Sequence, residues 1–85
     1  MSLLFVTITE TLTTLQLNYL NALIAGEKAI SSTDVMHRYK ISSTTSIARS
    51  KAALIINDIL DNKAGDISFQ DPIYAYWLKT EYFAK

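Results

Sequence analysis

The sequence contains no cysteine, one proline, two glycines and a single histidine, and neither sign of charge prevails. Each scarcity removes a class of function. Without cysteine there is no disulfide, no thiolate nucleophile and no cysteine-based zinc site, a composition that suits a reducing compartment and an expected cytoplasmic location. The lone His37 lies three residues after Asp34, a spacing that could pair acid and base on a helix, but no second histidine can complete a metal site. The reading preferred for it is a partly exposed helix residue beside a charge. Gly26 and Gly65 have no Gly-x-x-x-x-Gly-Lys-Ser/Thr setting, so backbone amides and a lysine cannot converge on a nucleotide's phosphates. No catalytic residue, cofactor or metal is therefore expected in this chain. Apolar runs such as Ala52 to Ile56 are far shorter than the roughly 18 residues of a membrane span. The start, Met1 to Val6, lacks the basic region and cleavage site of a signal peptide, and its first three residues are readable as a cloning remnant. Eight cations balance eight anions, whereas proteins that bind phosphate backbones usually carry a basic excess.

What is present is a globular composition, 49% hydrophobic with 11% aromatic residues, in 85 residues, enough for one modest core. Residues 1–11 are a lead-in or linker: Leu4 to Thr9 is β-branched and alternating, and is left open between an extended segment and extra helix. A domain over 12–85 follows. Thr13-x-x-Gln16 forms a capping box, Leu12 staples onto Leu17, and Leu12, Leu15, Tyr19 and Leu23 fall on one stripe at about 100° per residue, widened by Leu20, Ala22 and Ile24. Gly26 ends that first helix. Ser31 is expected to cap a short second helix, about Ser32 to Tyr39, with Asp34 in its first turn and Val35, Met36 and Tyr39 inward. Lys40-Ile41 turns into Ser42-Ser43-Thr44-Thr45-Ser46, whose hydroxyls read as the capped start of a third helix. In that helix Ile47, Ser50, Leu54 and Asp58 share one side, with Ser50 as the small residue at a helix crossing.

A short helix, a tight turn and a helix with a hydroxyl-rich start make a helix-turn-helix. Ile59-Leu60-Asp61 and Asp66-Ile67-Ser68-Phe69, joined by Asn62-Lys63-Ala64-Gly65, predict a hairpin wing. Asp71 then caps a last helix with Pro72 at its first position, in which Ile73 pairs with Trp77 and Tyr74 with Leu78, while Tyr82 and Phe83 extend the apolar surface. The fold class expected is mainly α with a small β-hairpin, a winged helix-turn-helix. The aromatics Tyr74, Tyr76, Trp77 and Tyr82 read as core and docking surface more readily than as a base-stacking platform.

Three segments carry a resemblance: Leu12-Thr13-x-x-Gln16, Ser42-Ser43-Thr44-Thr45-Ser46-Ile47-x-Arg49 and, most specifically, Asp71-Pro72-Ile73-Tyr74-Ala75-Tyr76-Trp77-Leu78. Over about Leu12 to Phe83 the chain resembles the C-terminal winged-helix domain of prokaryotic AAA-type P-loop ATPases. Lys40 departs from the pattern, since similar sequences often have Gly there. The resemblance implies a terminal module whose nucleotide chemistry lies upstream, with the ATPase domain of the same protein as a partner.

Two readings of function follow. Opposite the core, the third helix presents Thr45, Arg49, Ala52, Ala53 and Ile56. In the first reading the domain binds duplex DNA weakly, through Ser43, Thr44, Thr45 and Arg49 on that helix, Arg38 and Lys40 before it, and Lys63 at the wing tip, with Lys51 as a further cation. In the second, Ala52, Ala53 and Ile56 form a protein-interaction or oligomerisation strip, docking on the ATPase body, a partner or another copy. The DNA reading stands slightly ahead. A free-standing transcription regulator comes third.

Overall fold

The computed structural model describes residues 3–84. Five helices and one hairpin follow in the order α1 (Leu3–Glu10), α2 (Thr14–Ile24), α3 (Thr33–Arg38), α4 (Thr44–Ile56), β1 (Leu60–Lys63), β2 (Asp66–Phe69) and α5 (Pro72–Trp77), and α5 continues as a π-helical stretch over Leu78–Tyr82. The segment left open in the sequence is helical. Its threonines tolerate the helix because their hydroxyls bond backward, Thr7 Oγ1 to the Leu3 carbonyl at 2.9 Å and Thr9 Oγ1 to the Phe5 carbonyl at 2.7 Å. α1 contributes to the core rather than trailing from it: Thr9 is buried, and Phe5, Val6 and Ile8 pack half-buried against the cluster.

The core is a single cluster in which Leu20 of α2, Leu54 of α4, Leu60 of β1 and Leu78 are fully buried, surrounded by Tyr19, Ala22, Ile30, Val35, Ile41, Ile59, Tyr74 and Trp77. Each of the four leucines contributes about 1.5–3 kcal/mol by leaving water. Phe5 links the two ends of the chain, with its ring 5.2 Å from Tyr74 and 5.7 Å from Trp77, and Tyr74 stacks on Trp77 at 6.1 Å with 13° between planes. A buried hydrogen bond of 2.8 Å joins Thr9 Oγ1 to the Tyr74 hydroxyl. Ile73, read as the i, i+4 partner of Trp77, is exposed. Tyr74, Trp77 and Leu78 fill the inward face of α5, leaving Ile73 and Tyr76 to solvent.

Local chemistry fixes the ends of the elements. α2 starts with the expected capping box: Thr13 Oγ1 accepts from the Gln16 amide, and Gln16 Oε1 from the Thr13 amide. α3 is capped by Ser32, not Ser31, because the Ser32 amide closes a turn onto the Ala29 carbonyl at 2.9 Å and places Ser31 inside that turn. α2, α3 and α4 all stop in the same way. The residue after the cap takes a left-handed conformation, and the next amide reaches back five residues: Glu27 to Ala22, Ile41 to Met36, Ile59 to Leu54. Gly26 makes that turn at φ 82°, but Lys40 does so at 58° and Asp58 at 61°. Ile41 and Ile59, the residues that follow, are buried and seal the helix ends.

The wing is tighter than its sequence suggests. Asn62 and Lys63 belong to β1, in register with Ile67 and Asp66, and only Ala64-Gly65 forms the turn, at φ 53° and 90°. Both central residues at positive φ is the arrangement of a type I′ hairpin turn. Ile59 is displaced from the strand by its role at the end of α4, although its carbonyl still accepts from the Gln70 amide at 3.0 Å.

Candidate nucleic-acid interface

α4 is the second helix of the helix-turn-helix, and its orientation follows from its anchors. Ser50 and Leu54 are buried and Ile47 half-buried, so the opposite pole carries Thr45, Arg49, Ala52 and Ile56, all exposed. Ala53 does not belong there. It is half-buried, one quarter-turn round, where it lines a notch against the start of α2.

The hydroxyl-rich start of α4 divides between structure and surface. Ser43 is the helix cap, accepting from the Ser46 amide at 3.2 Å, and the Ser42, Ser43 and Ser46 hydroxyls bond among themselves at 3.0 and 3.2 Å. Thr44 and Thr45 are exposed. The candidate cations divide too. Arg38 is ion-paired with Glu27, whose carboxylate also accepts from the Tyr39 hydroxyl at 3.3 Å, so this cluster ties the end of α3 to the loop after α2. Lys63 lies 3.7 Å from Asp61 and in register with Asp66, between two acids on the wing. Lys51 is half-buried in a groove shared with Glu27, Lys28 and Asp66. Lys40, in the turn, and Arg49, on the pole of α4, are exposed, and neither has an acidic partner among the described residues. The Lys40 carbonyl accepts from Asn18 Nδ2 at 3.4 Å, which holds the turn to α2.

The neutral total conceals a segregation along the chain. Between Asp34 and Asp58 there are four cations, Arg38, Lys40, Arg49 and Lys51, and no acid; from Asp58 to Asp71 there are four acids and one cation, Lys63. The basic excess therefore lies in the helix-turn-helix, left uncompensated at Lys40 and Arg49, and the wing with its flanks is acidic.

No group of three or more histidine, cysteine or carboxylate side chains able to hold a metal occurs among the described residues. His37 is exposed. None of the described helices is long and apolar enough to cross a membrane.

A basic helix-turn-helix followed by a hairpin and a closing helix defines a winged-helix protein, a class whose members bind DNA or other proteins. The family model described as a probable winged helix domain matches residues 3–80, and the chain belongs to that family. The match takes in α1 from its first residue. No curated protein and no solved structure matches the chain.

Proposed function

We propose that the domain binds duplex DNA through the exposed pole of α4 and the turn before it, as a non-catalytic module of a larger AAA-type ATPase. The observation that carries this reading is the acid-free, four-cation stretch between Asp34 and Asp58 in a chain of zero net charge. Thr44, Thr45 and Arg49 face the groove, and Lys40 meets the phosphate backbone. The wing is not part of the footprint, since Lys63 stands between Asp61 and Asp66. Support for the ATPase context comes from the resemblance of the Asp71 to Leu78 segment to terminal domains of such proteins.

The strength of the contact follows from its charge. Two free cations give a salt slope near −1.8, so affinity falls about tenfold between 50 and 200 mM salt, against 10³ or more for proteins making 6–10 phosphate contacts. A single copy binds weakly, and useful occupancy requires several copies on one duplex, where each tethered contact raises the effective concentration of the next. Fluorescence anisotropy on a mixed-sequence duplex tests this: binding at low salt, the shallow slope, and loss on Arg49→Ala are expected. Binding indifferent to Arg49, or none at low salt, overturns it.

A second reading rests on Ile56, which is 78% exposed at the far end of the same pole. Together with Ala52 it offers an apolar contact to a protein surface or another copy. Ile56→Asp should then abolish self-association by sedimentation while leaving DNA binding in place.

A further inference from the structure

Two of the surface depressions compensate themselves or lack a recognisable occupant. The groove holding Lys28 and Lys51 also holds Glu27 and Asp66, and the cleft between α1 and α5 carries Asp58 and Asp71 with no cation. The notch between the N-terminus of α2 and the flank of α4 differs from both. It is about 290 Å³, is lined by Thr13, Leu15, Gln16, Ser46, Arg49, Ser50 and Ala53, and has no acidic residue in its wall.

We propose that this notch binds a phosphate group. Three independent donors converge on it. The first is the start of α2, an eleven-residue helix with no acid in its first turn. Its capping box consumes the Thr13 and Gln16 amides, and the amide of Leu15, which lines the notch, has no acceptor among the described residues. It projects from the positive end of the helix dipole, where an anion is stabilised. The second is Arg49, whose guanidinium has no carboxylate partner among the described residues and whose planar fork matches phosphate oxygens. The third is Ser50, a residue only 6% exposed that lines the notch. Its hydroxyl has no protein partner among the described residues and keeps contact with solvent, so it is free to donate to a phosphate oxygen there.

The shared chemistry is a phosphate oxyanion, supplied by the backbone of a duplex or by a free phosphate. The first source rests on the DNA reading, because Arg49 serves both, and adds a specific consequence: one phosphate gripped beside α4 sets how deep and at what angle the helix lies in the groove. In this arrangement Arg49 positions on a phosphate, and Thr44 and Thr45 are left to meet bases.

Titration of ¹⁵N-labelled protein with inorganic phosphate at constant ionic strength, and separately with a mixed-sequence duplex, distinguishes the outcomes. The Leu15 amide resonance should move downfield and saturate in both titrations. Ser50→Ala, a change small enough to keep the α2–α4 crossing, should weaken phosphate binding roughly tenfold, as expected for loss of a hydrogen bond to a charged group. Shifts with phosphate and no response to duplex would establish the notch as a small-anion site and end the DNA reading. Duplex binding with Leu15 unmoved would overturn the notch and leave the DNA reading standing. Silence of that amide in both titrations, or binding unaffected by Ser50→Ala, also overturns it.

Discussion

The bond between Thr9 and Tyr74 sets a sharp test of how α1 is held. Both residues are buried, at 3% and 4% exposure, and their oxygens are 2.8 Å apart. Thr9 has one hydroxyl proton, and it is donated to the Phe5 carbonyl at 2.7 Å, so the Tyr74 phenol must be the donor to Thr9. The two partners are therefore not equivalent. Tyr74→Phe removes a donor and leaves Thr9 bonded to Phe5, at a cost of about 1 kcal/mol, whereas Thr9→Val, near-isosteric, strands a buried phenol proton at a cost of about 2 kcal/mol. The double variant removes both partners and should lose about 1–1.5 kcal/mol, well short of the sum, giving a coupling of about 1.5 kcal/mol. In a domain of this size 2 kcal/mol lowers Tm by about 10 °C, which calorimetry or circular dichroism resolves. Equal losses from the two single variants, or an additive cycle, would refute the reasoning, because they would mean that water reaches the phenol once Thr9 is gone.

Other outcomes follow from the strained backbone positions and the buried phenols. Asp58 places a carboxylate at the negative end of α4, so Asp58→Asn, which keeps a residue tolerant of positive φ, should stabilise by about 0.5 kcal/mol, checked by urea unfolding. Lys40→Gly relieves about 1–2 kcal/mol of left-handed strain but raises the unfolded chain's entropy and removes a favourable cation, leaving a gain below about 1 kcal/mol together with weaker DNA binding. Ala64→Asn creates the Asn-Gly pair that type I′ turns favour and should raise stability by about 1 kcal/mol without touching the helix-turn-helix. Burial raises the Tyr19 hydroxyl above its ordinary 10.0, and burial, with neighbouring Tyr82 adding to it, raises Tyr74. A neutral phenol favoured in the fold contributes its full stability below pH 10 and loses it as pH rises through 10 toward the folded value, because the unfolded chain ionises first. Alkaline unfolding should therefore begin above about pH 10. Phenolate absorbance should show two tyrosines ionising only with it, and Tyr19→Phe should shift the transition upward.

The order of the main elements is legible in the sequence because helix caps and turn residues act locally: Thr13 with Gln16, Ser43 and Asp71 each satisfy amides within three residues of themselves. Features that depend on partners distant in sequence are not. The β-branched alternation of Leu4 to Thr9 does not display its helix, since the evidence for it is Tyr74, 65 residues away. Side-chain identity likewise does not reveal that Asp58 takes a positive φ; the buried Ile59 behind it demands that turn. The pole of α4 is readable from its period alone, apart from Ala53, which the approach of α2 turns into a wall of the notch. Ser50 shows in sequence as a small residue at a crossing, and only the packed fold reveals that it lines the notch with no protein partner among the described residues. The charge segregation lies in the linear sequence throughout, masked by the total.

The aromatic clasp of Phe5 with Tyr74 and Trp77 has a mechanical meaning. Because α1 and α5 are seized to each other rather than to opposite sides of the core, tension applied at the two ends of the chain loads this clasp before it reaches α3 or α4. The ends unfasten like a buckle, while the packing of α2 against α4 through Leu20 and Leu54 stays unloaded.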